Sequence, residues 1–305
     1  MLDMPGDPAP DVTVLLNAQA GGGHTPPDAD AVRAAFAGHG LRAAVLACTP
    51  EHALDGRLRE ALAARPQVLV AAGGDGTVGA VAAQALAHGL PFGVLPLGTL
   101  NHFARELGLP LELDQAVAVV AARRLRTVDV GEVNGEVFLN NASIGLYPQV
   151  VAKREYEQRH FARGKWSAMF RAAWRVLRHP EAYEIALDLE GREERRRTPA
   201  IFIGNNPYVL EGPRMGHRER LDAGVLGVVV MRPRSRLGWC WLALRALCGR
   251  LSANDMEVHE VPAFRLEAHD GALPVARDGE AHPLRPPLRF ASRPRALRVC
   301  VPETP

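Results

Sequence analysis

From residue 12 to residue 124 short apolar runs alternate with longer stretches of helical period, and few architectures accept that alternation. Residues 12–16, 42–47, 68–72 and 92–95 read as strands. Residues 28–38, 49–65, 78–88 and 114–124 read as helices, with a further helix opening at 98–101 and running to 107. Strands that are apolar throughout and separated by helices predict a parallel sheet covered on both faces. Ligands of such sheets bind at the carboxyl ends of the strands. Three glycine-bearing loops fall there: one after Asn17 through Gly21-Gly22-Gly23, one at Gly73, and one at Gly98.

Beyond about residue 127 the pattern changes. Residues 128–133, 136–144, 183–189, 199–204, 225–231, 258–267, 288–291 and 296–301 read as strands, with turn signals at Asn134-Gly135 and Glu190-Gly191. The expected fold class is therefore α/β, with an N-terminal doubly wound α/β domain (1–127) that the motifs and resemblance below make the nucleotide-binding domain. A C-terminal β-sandwich domain (128–305) follows, carrying helical insertions near 149–178 and 235–250.

Composition narrows the chemistry. Only two of the 36 basic residues are lysines, Lys153 and Lys165, so the first 150 residues hold neither a Walker A loop nor a protein-kinase lysine. Phosphate chemistry there must use backbone amides, hydroxyls, arginine or metal. A net charge of +2 gives no reason to expect nucleic acid as a partner. The four cysteines are scattered without metal-ligand spacing, which fits a reducing, cytoplasmic location. No apolar run approaches 18 residues, and the N-terminus lacks the pattern of a signal peptide.

The central motif is Gly73-Gly74-Asp75-Gly76-Thr77 between a strand and a helix. Its glycines let the backbone approach a ligand, and the helix N-terminus presents N–H groups to phosphate without lysine. Asp75 can hold or orient Mg2+, and the Thr77 hydroxyl can reach a phosphate oxygen. Taken by itself, the same loop also reads as a tight turn with Asp or Thr as helix cap. One unit later comes Gly98-Thr99-Leu100-Asn101-His102-Phe103-Ala104-Arg105, where Asn101 either donates to a nucleotide or caps the helix. Far downstream, Asp278-Gly279-Glu280 reads either as a β-turn or as a carboxylate placed to take a proton from an attacking hydroxyl.

Together these three motifs resemble the catalytic family of diacylglycerol kinases, which includes bacterial diacylglycerol kinases, YegS-like lipid kinases and sphingosine and ceramide kinases. The resemblance covers most of the chain. It implies ATP and Mg2+ as cofactors, with Asn17, Gly73, Gly74, Asp75, Gly76, Thr77, Thr99 and Asn101 at the nucleotide. It also implies Asp278 as general base, with Glu280 beside it near the metal. The segment Arg220-Leu221-Asp222-Ala223-Gly224 is similar to a metal-associated stretch of the family, which makes Asp222 a third candidate ligand beside Asp75 and Glu280. His102 and Ala223 stand where relatives often have acids.

The expected function is an ATP-dependent lipid kinase acting on a diacylglycerol-like or related lipid. Two alternatives stay open: an NAD kinase-like enzyme of a soluble substrate, which shares the Gly-Gly-Asp-Gly-Thr loop, and a non-catalytic nucleotide or lipid sensor. Residues 151–179 carry eight Lys/Arg with Trp166, Met169, Phe170, Trp174 and Leu177 at helical spacing. That segment suits either a peripheral membrane surface or packing on the sandwich. The sequence does not fix an oligomeric state, and a homodimer is compatible with it.

Overall fold

The computed structural model describes residues 9–17, 27–49, 52–145, 182–189, 191–209, 216–232, 256–268 and 271–303. The remainder of the first glycine loop, the basic segment 151–179 and the insertion 235–250 lie outside the described residues. The chain divides into two compact units, Met1–Val128 with Arg295–Pro305, and Asp129–Pro294.

The first unit contains strands β1 (Val12–Asn17), β2 (Ala43–Cys48), β3 (Val68–Gly73) and β4 (Phe92–Pro96), in the parallel order β2-β1-β3-β4. Its helices are α1 (Ala29–Gly38), α2 (Leu54–Ala63), α3 (Asp75–Ala87), α4 (His102–Glu106) and α5 (Leu113–Ala122). Asp28 starts α1 by accepting a 2.7 Å hydrogen bond from the Ala31 amide. α1 and α5 pack on one face of the sheet, where Val32, Phe36, Val117 and Val120 meet Val14, Val70 and Leu95. α2 packs on β1 and β2, and α3 on β3 and β4. With helices on both faces, β3 is buried along its whole length, which explains its unbroken apolar sequence.

Two strands pass from one unit into the other: β5 (Leu125–Val133) and β16 (Leu288–Cys300). The carboxyl end of β16 lies parallel to β4, with Val299 opposite Phe92.

The second unit is an antiparallel sandwich. One sheet contains β6 (Glu136–Phe138) paired with β5, then β16, β13 (Ala263–Ala268), β8 (Tyr183–Leu189) and β9 (Arg192–Thr198). The other runs β12 (Met256–Val261), β11 (Leu226–Met231), β10 (Ala200–Asn205), β7 (Asn141–Gly145), β14 (Leu273–Arg277) and β15 (Glu280–Leu284). Phe138, Ile144, Leu187, Ile203, Val228, Leu266, Val275 and Phe290 share one core, and the Phe264 and Phe290 rings stack at 4.8 Å.

Several boundaries differ from the sequence reading, each for a local reason. The run 258–267 is two strands, because the chain leaves one sheet for the other at Pro262. The run 136–144 likewise splits into β6 and β7, with Leu139 and Asn140 at the crossing. Conversely, 288–291 and 296–301 form one continuous strand in spite of Pro294. β9 was not expected, since Arg192-Glu193-Glu194-Arg195-Arg196-Arg197 shows no apolar alternation. It pairs only with β8, and charged residues are what an edge strand tolerates. β14 and β15 were also missed as strands, although their Asp-Gly turn was noted.

Candidate active site

In the first unit the carboxyl ends of β1, β3 and β4 bring Asn17, Gly73 and Pro96 side by side. The Asn17 amide donates to the Thr77 hydroxyl at 3.1 Å, tying the end of β1 to the first turn of α3. α3 begins at Asp75, earlier than its sequence period suggested, and Gly74 is its extended N-cap without a side-chain hydrogen bond. A helix start leaves its first amides without intrahelical acceptors, and the N-cap Gly74 has no side chain to bond them. Thirteen residues of aligned peptide dipoles add partial positive charge at the same end. That is a phosphate-binding geometry. Asp75 lies in this first turn, partly exposed, so a cation could join its carboxylate to a phosphate.

Two glycines of these loops are required by close approach. A Cβ on Gly73 would lie 2.8 Å from the Thr77 Cβ. A Cβ on Gly98 would lie 2.5 Å from the Gly74 Cα and 2.7 Å from the Asn101 Oδ1. The second and third loops therefore touch backbone to backbone, and the Leu97 amide donates to the Gly73 carbonyl at 3.1 Å.

Asn101 does not cap α4 through its side chain. It adopts φ 51° and turns its side chain back into its own loop. There it accepts from the Gly98 amide at 2.9 Å and donates to the Gly98 carbonyl at 2.8 Å. Its side chain makes no cap bond to α4 and is almost completely buried, so it shapes the loop. Thr99 stands exposed at the loop tip, and His102 is the exposed first residue of α4.

In the second unit Asp278 occupies the two-residue turn between β14 and β15, with φ 46° followed by Gly279 at 91°. These are the dihedral signs of a type I′ hairpin. Its carboxylate accepts three amides: Leu139 at 2.7 Å, Asn140 at 2.8 Å and Asn141 at 3.1 Å. The Asp278 amide returns a bond to the Asn141 carbonyl at 2.9 Å. Leu139 and Asn140 mark the crossing from β6 to β7, outside both ladders, which is why their N–H groups serve a side chain. Burial pushes the Asp278 carboxyl above its ordinary value, while the three amides and the charge of Arg218 pull it down. A carboxylate raised in this way is a stronger base than an exposed one.

Arg218, which the sequence reading passed over, lies buried beside these amides. It donates to the Leu139 carbonyl and the Asn205 carbonyl, both at 2.7 Å, and to the Asn140 side-chain oxygen at 3.1 Å. Nothing in its sequence neighbourhood marks it.

The remaining candidate ligands are placed differently. Glu280 is exposed at the start of β15, 4.0 Å from His282. The Asp222 carboxylate is held at 3.0 Å by Arg220, and a guanidinium there opposes a second cation. Among the described residues no three His, Cys, Asp or Glu side chains converge as a metal cage. A lone, partly exposed carboxylate such as Asp75 fits a divalent ion of the Mg2+ kind, which would take its other ligands from phosphate and water.

A parallel α/β unit with phosphate-type glycine loops, joined to a two-sheet antiparallel sandwich, defines the class. Residues 11–133 match the diacylglycerol kinase catalytic domain, and residues 143–301 match the YegS C-terminal NAD kinase beta sandwich-like domain. A Pseudomonas aeruginosa protein named "Probable lipid kinase YegS-like" is 35% identical over 253 residues, covering 80% of each chain. A Chromohalobacter salexigens protein of the same name is 30% identical over 252 residues, covering 80% of this chain and 79% of its own. In fold, a diacylglycerol kinase crystal structure from Bacillus anthracis superposes with a TM-score of 0.67 at 17% identity, covering 96% of this chain and 97% of its own. The chain belongs to the YegS-like diacylglycerol kinase family and is an enzyme, a kinase-type phosphotransferase.

Proposed function

We propose that this kinase transfers the γ-phosphoryl group of ATP to the hydroxyl of a lipid, of diacylglycerol type or a related one. The observation that carries the reading is the convergence of the ends of β1, β3 and β4, through Asn17–Thr77 and Gly74–Gly98, at the start of α3. The relatives' printed name supports a lipid acceptor. In this reading residues 1–127 hold the nucleotide and residues 128–305 the acceptor.

The first-turn amides of α3 bind phosphate oxygens, and the Thr77 hydroxyl, fixed by Asn17, adds a donor. Asp75 would hold Mg2+, which would supply charge neutralisation for the transferring group. Asp278 takes the proton of the acceptor hydroxyl as that oxygen bonds to the γ-phosphorus and the bond to ADP breaks. The three amides orient the carboxylate for this task. Glu280 is exposed close by in sequence and remains a second candidate for the acceptor side. No described helix is long and apolar enough to cross a membrane. Since the acceptor resides in a bilayer, the enzyme works as a peripheral protein at the cytoplasmic membrane face.

The test is transfer from radiolabelled ATP, with Mg2+, to mixed micelles of dioleoylglycerol, phosphatidylglycerol and a long-chain base, with NAD as a parallel acceptor. Label in the organic phase supports the proposal and identifies the lipid class. Label on NAD alone replaces it with the soluble-substrate reading, and ATP binding without transfer to any acceptor favours a sensor.

A further inference from the structure

Two of the three amides that hold Asp278, those of Leu139 and Asn140, belong to a crossing segment outside both ladders, while Asn141 already lies in β7. Leu139 and Asn140 leave β6 and enter β7 in the opposite sheet, and the backbone of β10 reaches them at one point, where the Asn205 amide donates to the Asn140 carbonyl at 2.9 Å. The Leu139 carbonyl and the Asn140 side chain need partners of their own if the carboxylate is to keep one orientation. Arg218 meets that requirement.

Leu139 is gripped at both ends of its backbone: its N–H donates to Asp278 at 2.7 Å and its carbonyl accepts from Arg218 at 2.7 Å. Asn140 is held twice as well, its N–H by Asp278 at 2.8 Å and its side-chain oxygen by Arg218 at 3.1 Å. The same guanidinium binds the Asn205 carbonyl, and Asn205 in turn donates to the Leu139 carbonyl at 2.9 Å. Tyr208 lies under the guanidinium, 5.5 Å from ring centroid to Cζ, and its hydroxyl donates to the Asn140 carbonyl at 3.3 Å. A planar fork of five donors can serve three acceptors at fixed angles, which a lysine ammonium cannot reproduce. Burying a cation is costly without such acceptors, and only 7% of Arg218 remains exposed.

We infer that Arg218 is a positioning residue for phosphoryl transfer, acting through Leu139 and Asn140 to hold the Asp278 carboxylate in its working orientation. The inference rests on the reading of Asp278 as the base. Loss of its fork leaves the nucleotide site intact and lets the crossing segment shift, so the cost falls on turnover. A misplacement of about 1 Å at a reacting group can cost about 100-fold in rate.

The experiment compares wild type with R218K, R218M and N140A, using radiolabelled ATP and dioleoylglycerol micelles, beside amide hydrogen exchange of residues 139–141. The expected result is a kcat lowered about 10-fold to 100-fold in R218K, with the KM for ATP within about twofold of wild type. N140A, which removes one tether, falls between. The 139–141 amides of R218K exchange faster, as they do in D278N. Wild-type kcat in R218K overturns the inference, as does a parallel change in kcat and the ATP KM, which marks general structural damage. If R218M does not fold, R218K and N140A decide. If the wild type transfers phosphate to no lipid, the kinase reading of Asp278 fails, and exchange alone judges the positioning: unchanged protection in R218K refutes it, and lost protection supports it.

Discussion

Replacing Gly98 with alanine tests whether the nucleotide site depends on backbone contact between two loops. The new Cβ would lie 2.5 Å from the Gly74 Cα and 2.7 Å from the Asn101 oxygen. An ordinary carbon–carbon contact is about 3.5–4.0 Å, so the loops must part by about 1 Å or Gly98 must leave its place. Neither neighbour is a yielding side-chain tip: one is backbone, and the other is an amide held by two hydrogen bonds to Gly98. Overpacking of this kind costs about 1–3 kcal/mol. The direct readout is ATP affinity by calorimetry with a non-hydrolysable analogue, and we expect a loss of about 10-fold to 100-fold from the displaced α3 start. Thermal unfolding should fall by about 2–4 °C per kcal/mol lost. G89A serves as a control for glycine loss, since nothing lies within 4 Å of a Cβ there and only its φ of +62° opposes alanine. It should lose stability while keeping ATP affinity. Unchanged nucleotide affinity in G98A would refute the claim that loop contact builds the site.

Four further outcomes follow from the same geometry. D278N should abolish turnover while leaving ATP binding nearly intact, checked by transfer assay and calorimetry; persistent turnover removes Asp278 as base. The Asp278 pKa is raised on folding by burial, so its contribution to stability is fully present below the ordinary value of 3.8 and is lost as pH rises through the folded value. Denaturant melts across that window should show wild type losing stability with rising pH relative to D278N, and the opposite slope would contradict the burial argument. N17A removes the 3.1 Å bond to Thr77 and should weaken ATP binding by about 1 kcal/mol, about fivefold, with little change in the melting temperature. D75N should raise the Mg2+ concentration needed for half-maximal transfer, measured by metal titration after EDTA treatment, and an unaltered requirement would move the metal away from Asp75.

The first unit was legible in the sequence because its signals are local. A parallel strand buried on both faces must be apolar along its length, so β1, β3 and β4 declare themselves, and the glycine loops follow each strand immediately. What local pattern could not supply was the use of each polar group. Asn101 sits where a nucleotide donor or helix cap is expected, yet its left-handed backbone directs the amide into its own loop. The sandwich was legible at Asn134-Gly135, whose positive φ values close the β5–β6 hairpin. It was illegible at β9, where charge hides the strand period, and at β16, where Pro294 made one strand look like two.

The two halves of the candidate chemistry differ in a way that follows from this. Each phosphate-side loop is assembled within a few residues of a strand end, so a change there acts close to where it is made. Asp278 acquires its properties from amides 137 to 139 residues earlier in the chain and from an arginine 60 residues earlier. No segment of sequence contains that arrangement; it exists only after the two sheets have closed on their common core. Asp278-Gly279 is therefore the same turn signal whether or not the carboxylate works as a base, and what distinguishes the cases is the partner at the sheet crossing. A substitution that alters this crossing, such as one at Arg218 or Asn140, can disable turnover without touching any residue that a motif marks.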